Sequence, residues 1–131
     1  MAQILGAGNP FTGPAQGLDI IGDHAYAYNQ QNNVNSTTVT MFEFTSGNYY
    51  FVGTLSMGRN MKSIAEAQID ISFNGAVVYS AKYENGEGNT LIMPVGTPLP
   101  LIIPAYTGVS IKITNDNDDS YGMILTGRIY K

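Results

Sequence analysis

Few side chains in this chain could carry chemistry, and their spacing restricts what that chemistry would be. A nucleophilic triad needs a hydroxyl, an imidazole and a carboxylate. His24 is the single histidine, and Asp23 lies beside it. Neighbours on a strand point to opposite faces, so this spacing places Asp23 poorly for orienting the ring. A glycosidase would need two carboxylates about 5–10 Å apart. Glu43, Glu66 and Asp70 are the candidates, and nothing in the sequence pairs them. The NDNDDS segment, residues 115–120, offers Asp116, Asp118 and Asp119 as oxygen ligands for calcium. It lacks the Gly and Glu of an EF-hand loop. Asp and Asn are also ordinary turn formers, so a solvated turn is expected and no metal is assigned. The chain has no Cys, which removes disulfides and thiolate sites. No Gly-rich phosphate loop joins a strand to a helix. The sequence therefore assigns no catalytic residue and no cofactor.

The elements that would position these groups are strands. His24, Tyr26 and Tyr28 alternate with Ala25 and Ala27, giving one aromatic face. Gln30 to Ser36 is polar and reads as a loop. Thr37 to Phe44 is β-branched and aromatic on both faces, as a covered strand would be. Tyr49, Phe51, Leu55 and Met57 share a face of the next strand, which the pattern ends at Gly58. Ala65, Ala67, Ile69, Ile71 and Phe73 then alternate with polar residues, the period of a half-buried strand. Asn74-Gly75 follows, the sequence of a type I′ hairpin turn. With that turn, Ile71 faces Val78 and Ile69 faces Ser80. Val77 and Tyr79 would then form an outward contact pair. Val109, Ile111 and Ile113 mark another strand, and Met123, Leu125 and Ile129 mark the last, in which Gly127 reads as a bulge. The expectation from this pattern is an all-β, antiparallel sandwich or barrel of about eight strands. Its core would hold Ile69, Ile71, Phe73, Val78, Ile111, Ile113, Met123 and Leu125.

Composition adds two expectations. Residues 1–21 hold Gly6, Gly8, Pro10, Gly13, Pro14 and Gly17, a density that forbids a long regular element. Ile4, Leu5, Phe11, Leu18, Ile20 and Ile21 are nevertheless spread through them. The segment reads as an extended N-terminal arm that lies against a neighbour, ahead of a β-domain over residues 22–131. The 131 residues carry only 12% charged side chains but nine Tyr. Interfaces are depleted of Lys and Glu and enriched in Tyr and Met, so a homo-oligomer is expected, with a trimer as the leading form. A net charge of −4 argues against a nucleic-acid partner. No apolar run approaches the ~20 residues of a membrane span. Residues 1–11 have no basic start and no long apolar run, so no secretion signal is expected.

Five stretches carry a resemblance: GDHAYAY (22–28), VTMFEFTSGNYYFVGTL (39–55), QIDISFNGAVVY (68–79), LPLIIPAYTGVSIKITN (99–115) and ILTGRIY (124–130). In layout they resemble small jelly-roll decoration, or cement, proteins of tailed-bacteriophage capsids. That resemblance implies a jelly-roll-like form of the antiparallel β-sandwich and a non-enzymatic structural role on the outer capsid surface of a virion, bound at joints between major capsid proteins. Partner contacts would come from Ile4, Leu5 and Phe11 of the arm and from Val77 and Tyr79. The alternative is a carbohydrate- or receptor-binding module of a viral fibre or spike, with Tyr26, Tyr28, Tyr49 and Tyr50 as glycan contacts.

Overall fold

The computed structural model describes residues 16–34, 37–60, 66–84, 98–115 and 119–131. Among these lie strands β1 (Asp19–Ile21), β2 (His24–Val34), β3 (Thr37–Thr45), β4 (Tyr50–Asn60), β5 (Glu66–Phe73), β6 (Ala76–Glu84), β7 (Leu99–Ile103), β8 (Gly108–Asn115) and β9 (Asp119–Tyr130). They form two antiparallel sheets, one in the order β1-β2-β9-β4-β7 and the other in the order β3-β8-β5-β6. The pairs β2–β9, β4–β7, β3–β8 and β5–β6 lie side by side, with the first two in one sheet and the last two in the other. That is a jelly-roll arrangement, the form of sandwich that the resemblance implies. Ile103 and the odd positions Phe51, Leu55, Met57, Met123 and Leu125 fill the core from the first sheet. Phe42, Ile69, Ile71, Val109, Ile111 and Ile113 fill it from the second.

Six expectations need correction. The first concerns the hairpin. Asn74 and Gly75 both take positive φ, 52° and 85°, as the turn type requires. Phe73 then faces Ala76 and Ser72 faces Val77, but Ile71 faces Tyr79 and Ile69 faces Ala81. Val78 is the extra residue of a β-bulge, and one extra residue exchanges the faces of everything beyond it. Val78 is therefore exposed rather than part of the core, while Tyr79 is half-buried against the core. Ser80 turns outward to hydrogen-bond Asp70.

The second correction is in β3, where the register shifts between Thr40 and Phe42. The bulge at Met41 lets two consecutive residues, Met41 and Phe42, point inward. The apolar character of this strand thus comes from a bulge, and its outer face carries Thr38, Thr40 and Glu43. The buried Asn29 amide donates to the Met41 carbonyl at 2.9 Å, tying the two sheets together at the bulge.

Third, Gly127 is not bulged. It stands opposite Gly53 in an unbroken β4–β9 register. A Cβ on Gly127 would lie 2.2 Å from the Val52 carbonyl oxygen and 2.8 Å from the Phe51 ring. The two glycines form a trough over which the Phe51 ring lies. Fourth, Gln30 to Val34 continues β2 rather than forming a loop, and fifth, β4 runs on past Gly58 to Asn60.

The sixth correction moves the boundary drawn at residue 21. Gln16 bridges β3 in parallel, its N–H donating to Met41 O at 3.1 Å and its carbonyl accepting from Glu43 N–H at 3.0 Å. β1 then joins the first sheet, with Ile21 paired to His24 across a Gly22-Asp23 turn. Leu18 and Ile20 pack against the core. Residues 16–21 belong to the sandwich, whereas Ile4, Leu5 and Phe11 lie outside the described residues.

Candidate functional site

The outer face of the five-stranded sheet is built from the positions that alternate with the core. Cross-strand pairing aligns them in rows. Ile21, His24, Arg128, Val52 and Ile102 form one row across all five strands. Asp19, Tyr26, Thr126, Thr54 and Pro100 form the next, and Tyr28, Ile124 and Ser56 the one beyond. Tyr50 and Tyr130 face each other at the other end. Ile21 is 61% exposed, Ile102 62% and Ile124 50%. With Val52, Tyr28, Tyr50 and Tyr130 they make up most of the large exposed apolar side chains among the described residues.

The outer face of the four-stranded sheet is an internal comparison. Its rows read Thr38, Thr114, Gln68 and Thr40, Lys112, Asp70, Ser80 and Glu43, Ser110, Ser72, Val77. Polar groups there hydrogen-bond one another, with Thr38 and Thr114 hydroxyls 2.8 Å apart and Gln68 donating to Asp70 at 2.9 Å. Both sheets belong to one small domain, yet one outer face is almost wholly polar, whereas the other sets exposed Ile21, Val52, Ile102, Ile124 and tyrosines among His24, Arg128, Thr54, Thr126 and Ser56. A concentration of exposed apolar side chains on one face of a small protein makes that face a candidate contact surface.

The titratable groups of the apolar face satisfy one another. The expectation that Asp23 points away from His24 assumed that it sits on the strand. It sits in the turn instead, with its carboxylate 3.6 Å from His24 Nε2 and 3.3 Å from Arg128 Nη1. All three side chains are more than half exposed, so the cluster is an open surface ion pair, screened by solvent. The Tyr26 phenol is pushed above the usual tyrosine range, first by partial desolvation and then by the Asp19 carboxylate and Tyr28.

The proposed glycan contacts separate. Tyr26 and Tyr28 are adjacent on β2, their rings 5.2 Å apart and tilted by 44°. Tyr50 lies on the same face but two strands away and four residues along, roughly 16 Å from Tyr26 by strand geometry. It stacks on Tyr130 at 5.5 Å with 22° between the planes. Tyr49 is half-buried and lines a small end cleft of about 340 Å3 with Leu18, Ile20 and Lys131. The expected Val77–Tyr79 pair is split by the Val78 bulge, and only Val77 is outward. Glu43 and Asp70 flank β8 with Cα atoms about 12 Å apart by strand geometry, and Asp70 is engaged by Gln68 and Ser80. Residues 116–118 lie outside the described residues. Among the described residues no three His, Asp or Glu side chains converge on a metal site.

Sequence reasoning missed Val52, Ile102, Ile124, Tyr130 and Tyr106. The first four alternate with core residues that are themselves apolar, so the strands lose their period-two contrast. That loss of contrast, in strands bounded by turns, was the available signal. No protein-family model, no characterised protein and no solved structure matches the chain.

Proposed function

We propose that this chain is a structural virion protein that decorates and stabilises an assembled bacteriophage capsid, binding on the outer capsid surface at joints between major capsid proteins. The observation that carries the reading is the apolar outer face of the five-stranded sheet, set against the polar face of its partner sheet. Such a face needs a broad, flat protein surface rather than a small ligand. Its large side chains are already partly covered, so complete burial of Ile21, Ile102 or Ile124 gains about 1 kcal/mol each. A few such contacts per copy, multiplied over many copies, stabilise the assembled shell over separated subunits by linkage. The reading calls for no enzymatic activity, cofactor, nucleic acid or membrane. It includes self-association, with a trimer as the form to test first.

A second reading, a carbohydrate- or receptor-binding module of a fibre or spike, is favoured by the Tyr26–Tyr28 pair. Against it, Tyr50 and Tyr130 stack on each other, which occupies one face of each ring, and both lie far from the Tyr26–Tyr28 pair.

The test is co-sedimentation with shells assembled without this chain, from the virus whose genome encodes it. Val52→Glu and Ile102→Glu place charge on the face at positions already exposed to water. Native protein should bind, and both variants should fold but bind at least tenfold more weakly. Equal binding by the variants would remove the face from the contact, and failure of the native protein to bind would sink the reading.

A further inference from the structure

We propose that Tyr106 is a preorganised anchor that inserts into an apolar pocket of the shell protein; the inference rests on the decoration reading above. Tyr106 lies in the loop between β7 and β8 with φ at +54°. A bulky L side chain rarely adopts that left-handed conformation, which Gly and Asn take readily. It is also the most exposed of the large apolar residues described, at 72%.

The backbone has no freedom to relax. Ser46 and Thr107 are both buried and clamp the loop to the turn between β3 and β4. The Ser46 hydroxyl donates to Pro104 O at 2.7 Å and accepts from Thr107 N–H at 2.9 Å. Ser46 N–H donates to Thr107 O at 2.9 Å, and Tyr106 N–H to Gly47 O at 3.0 Å. On the far side, Gly108 N–H donates to the Asn74 side chain at 2.8 Å.

Every one of these bonds constrains the backbone around residue 106 and none uses its ring. A glycine would satisfy the same turn without strain. None of the loop's hydrogen bonds requires the ring, while the loop fixes the backbone from which it projects into solvent. Rigid, exposed aromatic side chains are what binding hot spots are made of, because little entropy is lost when they dock. Strain held by a surrounding network is likewise a mark of functional positions. The chemistry favours a protein pocket over a glycan. Sugar recognition needs hydrogen-bonding groups beside the ring, and the Ser46 and Thr107 hydroxyls are consumed inside the loop, the latter donating to Ala105 O at 3.2 Å.

The experiment measures binding of full-length native protein, Tyr106→Gly and Tyr106→Asn to shells lacking this chain, alongside melting temperature. Both substituted residues tolerate positive φ. The expected result is at least a tenfold loss of shell binding with no fall in melting temperature. Native-like binding by both variants would overturn the proposal while leaving the decoration reading intact, because the native protein would still bind. A clear fall in melting temperature in both variants would overturn it too, since the ring would then be supporting the fold. Displacement of native protein from shells by free hexoses would overturn it in favour of a glycan site. Failure of the native protein itself to bind would remove the decoration reading and this inference with it.

Discussion

Gly127→Ala should be among the most damaging single-methyl additions available in this fold. The new Cβ would sit 2.2 Å from Val52 O, 2.6 Å from Gly53 Cα and 2.8 Å from the Phe51 ring. Ordinary contact begins near 3.4 Å, so the β4–β9 pair would have to open by about 1 Å at its centre. The ladder runs in unbroken register from Tyr50–Tyr130 to Asn60–Ser120, which leaves no bulge to absorb that movement. The Phe51 ring, fully buried over the trough, would also have to shift. Overpacking of this kind costs typically 1–3 kcal/mol, and two backbone contacts put Gly127 at the upper end, about 3 kcal/mol. Alanine's smaller unfolded-state entropy offsets about 0.4–1 kcal/mol, leaving a net loss of about 2–3 kcal/mol. Gly58→Ala is the control: it lies on the same strand, β4, where a Cβ meets nothing within 4 Å. That variant should be neutral or slightly stabilised. Urea unfolding of both variants measures the difference directly. If Gly127→Ala lost less than about 0.5 kcal/mol, or matched Gly58→Ala, the paired-glycine trough would be wrong.

Other perturbations separate the bulge, the N-terminal boundary and the electrostatics. Ile71→Ala, at a fully buried position, should cost about 2–5 kcal/mol, whereas Val78→Ala should change stability by less than about 0.5 kcal/mol because its side chain is exposed on the bulge; a thermal or urea scan of both reads the register of β6. Truncation of residues 1–21 removes β1 and the half-buried Leu18 and Ile20, so it should destabilise the sandwich by at least about 2 kcal/mol more than truncation of residues 1–15. The raised Tyr26 value means the native state keeps that proton longer than the unfolded chain does. Its contribution to stability is complete below about pH 10 and is lost as pH rises through the folded value. Asn at position 19 (Asp19→Asn) should bring the Tyr26 titration down, measured as the phenolate absorbance difference between each protein and its Tyr26→Phe counterpart.

The sequence made the architecture legible where side-chain contrast was strong. Ile69, Ile71 and Phe73 alternate with polar residues, and Asn74-Gly75 closes the hairpin as its turn chemistry demands. The register two residues later was not legible. Val77, Val78 and Tyr79 all suit a strand, so AVVYSAKY fits either phase, and only Tyr79 packing on the core and Ser80 reaching Asp70 select one. Gly127 illustrates the same limit. A glycine in a strand signals either a bulge or a close approach, and its partner Gly53 is distant in sequence. β1 escaped notice because its three residues, within the short stretch between Gly17 and Gly22, carry no periodicity; its place comes from pairing with β2. The candidate site was half visible. Tyr26, Tyr28 and Tyr50 stood out by type, but Val52, Ile102 and Ile124 join them only once β7, β4 and β9 are laid side by side.

On the proposed decoration role the chain is a component of virions, and the most direct test is to look for it there. Intact purified virions would be probed with antibody raised against the folded protein, with immunogold positions read by electron microscopy and copy number by mass spectrometry. Decoration predicts many copies per particle with label distributed over the whole head. Label confined to the tail tip or fibres, or absence of the chain from purified virions, would contradict it.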